Sequence, residues 1–149
     1  MEGRDAFRFA EKCLYSYPEN CIRLDALKEA LAELNMSASV QGQGYEAIGF
    51  GHGGESNPVA ARAQKIADLE EEIQKLERIT LPIVRLCKHL HDDYILEDSL
   101  KGELSKILNL CYFGGNSGAQ VALRLGVSER KVYKLRYRLV SMTIRCLGI

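Results

Sequence analysis

Between Val59 and Leu90 the apolar residues fall in two rows with a spacing of seven: Val59, Ile66 and Ile73 on one, Leu69, Leu76, Ile83 and Leu90 on the other. A seven-residue repeat fits the 3.6-residue turn of an α-helix and no pleated strand. It therefore commits the stretch to an amphipathic helix with a coiled-coil seam that needs a partner. Asn57-Pro58 is a good start for it. Asparagine caps the free backbone donors, and proline at the first helical position gives up an N–H that has no partner there anyway. A helix from Pro58 to Leu90 is roughly 50 Å long at 1.5 Å per residue. Pro82 predicts a kink, because its ring removes a donor and crowds the preceding turn.

Upstream, Leu24, Leu27, Leu31 and Leu34 follow a 3-4-3 spacing and predict a second seam on a helix over about 19–34. A first short helix, roughly 2–14, is expected to stop near Tyr15-Ser16-Tyr17-Pro18, since proline restricts the residue before it. The stretch from Ser37 to Asn57, with glycines at 42, 44, 49, 51, 53 and 54, reads as a long loop. The two seams can meet within one chain as a hairpin or between chains. The shorter covers only about half of the longer at 1.5 Å per residue. Apolar rows left bare in this way favour a homodimer.

The 149-residue chain is about the size of one domain or two small ones, and its 46% hydrophobic content is that of a globular protein. No run of 18 or more apolar residues is present to span a membrane, and the charged start Met1-Glu2-Gly3-Arg4-Asp5 is unlike a signal peptide. The five cysteines, Cys13, Cys21, Cys87, Cys111 and Cys146, are odd in number and scattered, as expected of reduced thiols in a cytoplasmic protein. A net charge of zero hides a split. Residues 1–100 carry 11 Lys and Arg against 18 Asp and Glu, whereas residues 101–149 carry 9 against 2. An acidic carrier with a basic end points to nucleic acid as the partner of that end. His91 to Ser99 is acidic and reads as a hinge between the two parts, residues 1–98 and 99–149.

The basic end carries local signals in a fixed order. Leu100, Leu104, Ile107, Leu108 and Cys111 are spaced for one buried helical face, which Gly114-Gly115 ends. Ser117-Gly118-Ala119-Gln120 has the S-x-x-Q form of a capping box opening a short helix to Leu125. Gly126 suits a turn position of positive φ, Ser128 caps a third helix to about Cys146, and Ala122 is small where the last two helices must approach. Val121, Leu125, Val127, Val132 and Leu135 can pack beneath the turn. On the outside, Arg130, Lys131 and Lys134 sit in the first two turns of the third helix. There they oppose the positive end of the helix dipole at a cost of about 0.3–1 kcal/mol each. A helix that reads DNA needs base contacts from these turns, because it enters the major groove N-terminus first. Arg130, Lys131 and Lys134 are thus the candidate base readers. Ser117, Gln120, Ser128, Tyr133, Tyr137 and Arg138 are candidate phosphate contacts, and Arg136 and Arg145 extend the basic character.

Residues 104–148, with Leu110-Cys111-Tyr112-Phe113-Gly114-Gly115 ahead of Val121-Ala122-Leu123-Arg124-Leu125-Gly126-Val127-Ser128, resemble the promoter-reading helix-turn-helix in region 4 of bacterial sigma factors. Together with the upstream helices, the glycine loop and the heptad helix, the chain resembles the ArpU/RinA-type phage late-gene transcriptional regulators. The resemblance implies a small regulator that binds double-stranded DNA in the bacterial host cytoplasm and works with host RNA polymerase. Nothing in the chain corresponds to the promoter-melting region of a complete sigma factor.

Other motifs weigh less. Gly49-Phe50-Gly51-His52-Gly53-Gly54 satisfies G-x-G-x-x-G, but a dinucleotide fingerprint needs a strand before it in a βαβ unit, and Tyr45 to Ile48 is too short. Cys87, His89, His91, Asp92 and Asp93 lack the four-ligand spacing of structural zinc. No nucleophile and base share an organising motif. The expectation is an all-α protein, not an enzyme, without metal or cofactor: a helical coiled-coil region followed by a helix-turn-helix. Two rival readings are a phage small-terminase-like DNA-packaging protein and a coiled-coil adaptor whose basic half binds an acidic protein.

Overall fold

A computed structural model of the chain describes residues 2–44, 57–92 and 96–149. Every regular element among them is helical: α1 (Gly3–Gly44), α2 (Pro58–Asp92), α3 (Asp98–Ile107), a π-helical segment (Leu108–Phe113), α4 (Gly118–Leu125) and α5 (Glu129–Leu147). The protein is all-α. None of the described helices is long and apolar enough to cross a membrane.

Two expectations for the N-terminal part are corrected. The chain does not break at Pro18, which lies inside the single helix α1. Proline costs a helix interior about 3 kcal/mol through its missing N–H and its crowding of the carbonyl four residues back. Anchoring of the turn before it offsets that. Leu14 is wholly buried, and Tyr17 stacks on Phe113 with ring centroids 5.1 Å apart. Ser16 Oγ also donates to the Lys12 carbonyl at 2.8 Å, and Asn20 Nδ2 donates to Ser16 Oγ at 3.3 Å. The expected loop from Ser37 does not begin there either, because α1 continues to Gly44. Gly42 and Gly44 each cost about 1 kcal/mol relative to alanine, too little to stop a helix already nucleated over many turns. Residues 45–56, including the G-x-G-x-x-G run, lie outside the described residues.

The start of α2 follows the sequence closely. Asn57 Oδ1 accepts from the backbone N–H of Val59 at 3.1 Å and of Ala60 at 3.4 Å. Like α1, this helix carries an internal proline, Pro82.

The chain forms two compact units that do not follow the charge break at residue 100: Met1–Asn20 with Arg78–Ile149, and Cys21–Glu77. In the second, Leu24 and Ile73 are the buried apolar side chains, while Leu27, Leu31, Ile66, Leu69 and Leu76 are half-buried. Arg23 pairs with Glu72, and Lys28 Nζ lies 3.2 Å from Glu77 Oε1, so α1 and α2 meet within one chain. Such exposed pairs contribute at most about 1 kcal/mol each; the apolar seam carries more of the association.

The first unit holds the main core. Ala10, Cys13 and Leu14 of α1 and Ile83, Leu86 and Leu90 of α2 pack with the inner faces of α3, the π-helical segment, α4 and α5. Leu104, Ile107, Leu108 and Cys111 are buried as their spacing predicts, with Leu100 packed at the margin. The segment 108–113 departs from the α-helix expected there. Its wider turn closes on Asn116, whose backbone N–H and Nδ2 both donate to the Leu110 carbonyl, at 3.0 and 2.9 Å. Gly114 follows because a Cβ there would stand 2.9 Å from the Asn109 carbonyl oxygen.

The last two helices are set by their caps. Ser117 Oγ accepts from Gln120 N at 3.2 Å, and Gln120 Oε1 accepts from Ser117 N at 2.9 Å, the reciprocal capping box. Gly126 ends α4 at φ +66°, and Ser128 Oγ then accepts from Lys131 N at 3.1 Å to open α5. Val121, Ala122 and Val132 are buried between these helices, with Leu125 and Val127 packed against them.

Gly126→Ala is expected to lose about 1–2 kcal/mol in urea denaturation, since open space surrounds the position and only the left-handed backbone is strained. Gly126→Asn is expected to lose less. Ala122→Leu is expected to lose about 1–3 kcal/mol by overpacking. An Ala122→Leu protein as stable as wild type would contradict the close helix approach.

Candidate nucleic-acid interface

At 100° per residue, Arg130, Lys134 and Arg138 fall within about 80° of one another on α5, on the side away from Val132, Leu139 and Thr143. All three are exposed. They form a basic stripe over three turns of a helix whose opposite face is core. Glu129 is the acidic residue of the first turn of α5.

The flanks of the stripe differ. On one side Lys131 Nζ lies 3.0 Å from Glu103 Oε1 of α3. Both side chains are about half exposed, so the pair is weak and a phosphate can compete with it. On the other side Tyr133 and Tyr137 are 68% and 57% exposed, with their rings toward α1. Tyr137 stacks on Phe7 at 5.6 Å between centroids. Of the expected contact residues, then, Arg130, Lys131, Tyr133, Lys134, Tyr137 and Arg138 share the outer surface of α5. Ser117, Gln120 and Ser128 are exposed but spend their side-chain acceptors on capping. Each serine hydroxyl keeps its proton for a further acceptor.

Arg136 does not extend the basic surface. Its Nη2 donates to Glu11 Oε1 at 2.8 Å and to the Tyr15 hydroxyl at 3.0 Å, and its Nε donates to the Tyr112 hydroxyl at 3.4 Å. Tyr112 in turn donates to Glu11 Oε1 at 3.0 Å, and the guanidinium sits 5.5 Å from the centre of the Tyr112 ring. Position 136 falls only about 40° from Val132 on the helix, which turns it toward the core. One carboxylate, one guanidinium and two phenols thus bond to one another. Burial works against the charge of Arg136, but Tyr112, Tyr15 and Glu11 outweigh it and raise its pKa. Burial pushes the Tyr112 hydroxyl well above the ordinary tyrosine value, with Arg136 opposing.

Sequence reasoning missed two residues beside this surface. Arg4 and Arg8 of α1 border the same groove as Tyr133 and Tyr137. Their spacing of four marks a shared helix face, but no local signal tells which distant helix that face will meet.

Little else in the described residues suggests chemistry. No three His, Cys, Asp or Glu side chains converge there to hold a metal ion. All five cysteines are free, and burial raises the thiol pKa of Cys13 and Cys111.

Arg136→Leu is expected to destabilise the protein by about 2–3 kcal/mol, because it strands the half-buried Glu11 carboxylate. Adding Glu11→Gln should recover part of that loss in a double-mutant cycle. The Tyr112 hydroxyl is held protonated by the fold, so its contribution is complete below pH 10.0, the ordinary tyrosine value. It is lost as pH rises above that value. Denaturation midpoints at neutral pH and above pH 10.0 should therefore diverge more for wild type than for Tyr112→Phe.

No family model, no curated protein and no solved structure matches the chain.

Proposed function

We propose that this protein is a non-enzymatic, sequence-specific DNA-binding transcription regulator of the ArpU/RinA phage type. In this reading α4, the Gly126 turn and α5 act as a helix-turn-helix, and the paired seams of α1 and α2 act as a coiled-coil region. The observation that carries the proposal is the stripe of Arg130, Lys134 and Arg138 on a helix that is otherwise anchored in the core. Three exposed cations at one-turn intervals repel one another. Arg130 also sits in the first turn, where the helix dipole disfavours positive charge. Such an arrangement serves a polyanion better than it serves stability.

The mechanism follows from the geometry. α5 enters the major groove, which is wide enough for a helix with its side chains. Arg130 presents a planar fork to the two acceptors on a guanine edge. Lys131, Lys134 and Arg138 neutralise phosphates, and Lys131 leaves Glu103 to do so. The hydroxyls of Ser117, Ser128, Tyr133 and Tyr137, with the Gln120 amide, supply neutral donors that fix register.

We further propose that the protein acts as a homodimer in the cytoplasm of a bacterial host, together with host RNA polymerase. The half-buried Ile66, Leu69 and Leu76 retain apolar surface that a second copy would cover. Sedimentation of the free protein and of its DNA complex tests the dimer.

Selection of bound sites from a random duplex pool is expected to return a defined motif. Lys131, Lys134 and Arg138, each neutralising one phosphate, should contribute about −3 to the log–log salt slope per bound chain. Arg130→Ala should cost about 1–3 kcal/mol on the best site and relax the preference at one base pair. Salt-independent binding, or no binding at low salt, would refute the function.

A further inference from the structure

The first turns of α1 run beside α5, and between them opens a groove of about 510 Å³. Arg4, Phe7, Arg8 and Glu11 line one side, Tyr133 and Tyr137 the other. The floor is apolar, built on the stacked Phe7 and Tyr137 rings. The rim is polar and positively charged. Arg4 and Arg8 are exposed and one helical turn apart, and neither has an ion-pair partner among the described residues. The acid of the groove, Glu11, is already neutralised by Arg136 and hydrogen-bonded by Tyr112. Two unpaired guanidinium groups and two exposed phenols therefore face an open trough without a free carboxylate in its lining.

We propose that this groove seats one strand of the DNA backbone, with Arg4 and Arg8 as phosphate ligands. The inference rests on α5 entering the major groove. A helix lying there has a phosphate strand along each flank, since the groove is only about as wide as the helix with its side chains. The flank carrying Tyr133 and Tyr137 is the flank to which α1 brings its arginines. The groove is continuous with the stripe of Arg130, Lys134 and Arg138, because Tyr133 and Tyr137 each adjoin one of those cations in sequence and lie beside them on the helix. A ligand with negative charges at regular spacing meets both surfaces at once, and a duplex backbone is such a ligand. The guanidinium fork suits phosphate oxygens better than a lysine ammonium does, because it offers paired donors in one plane. The N-terminal turns of α1 thus add to the interface a second element far from α5 in sequence.

The test compares salt slopes for wild type, R4A/R8A, R4K/R8K and K134A/R138A on one mixed-sequence duplex longer than two helical turns. Thermal melting checks that each variant is folded. At about −0.9 per phosphate, R4A/R8A should lower the slope by about 2 and weaken binding, while R4K/R8K keeps the wild-type slope. A wild-type slope in R4A/R8A, with a reduced slope in K134A/R138A, overturns the groove assignment and leaves the α5 reading intact. An acidic protein segment would then be its better occupant. A wild-type protein that shows no salt-dependent binding overturns both. If R4A/R8A loses slope but K134A/R138A does not, the arginines are confirmed as phosphate ligands and the α5 stripe is not.

Discussion

A single carboxylate, Glu11, accepts hydrogen bonds from Arg136 and Tyr112, and the placing of α1 against α5 depends on that meeting. It joins positions 125 residues apart in the chain. Charge-assisted bonds of this kind are the short, strong ones, and partial burial spares them much of the screening that weakens surface pairs. Because Tyr112 belongs to the π-helical segment and Arg136 to α5, the cluster ties three elements at one point. Around it Tyr15 packs on Tyr112 and Tyr17 on Phe113, so the first five turns of α1 are held by rings as well as by charge. The outer face of α5 is left free to do something else.

What the sequence made legible was what is decided locally. The capping box at Ser117 and Gln120, the left-handed turn at Gly126, and the caps at Asn57 and Ser128 are short-range arrangements. A residue type at a fixed offset is nearly sufficient for each. The buried faces of α3 and α5 were legible too, because a 3.6-residue period leaves few choices. The errors arose where a distant contact outweighs a local preference. Pro18 looks like a stop until Leu14 and Tyr17, in the turn before it, are seen to be anchored against the core. Arg136 looks like one more cation of a basic helix, although its angle to Val132 on a helical wheel already set it apart. Arg4 and Arg8 gave no usable sign, since their value lies wholly in which helix they come to rest beside.

Charge follows the same division of labour. The dipole of α5 disfavours Arg130 near its start, and only Glu129 offsets that locally. The core that α5 shares with α3, α4 and α1 supplies the stability that such a surface forgoes. Val132, Leu139 and Val140 are almost wholly buried on the same helix that displays the basic stripe. One helix thus meets two opposite demands because its two faces are 180° apart, and a substitution on one face is felt little on the other.

The π-helical turn at Leu108–Phe113 bears on how such a chain can vary over descent. A π-turn accommodates one residue more than an α-turn in nearly the same rise. Losing that residue would restore α-helical pitch and rotate α3 by about 100° relative to everything after Phe113. Leu104 and Ile107 would leave the core, and Tyr112 would no longer reach both Glu11 and Arg136. Side chains in this segment can therefore be exchanged for others of similar volume, but its length is fixed. In related chains it should tolerate substitution while rejecting insertions and deletions.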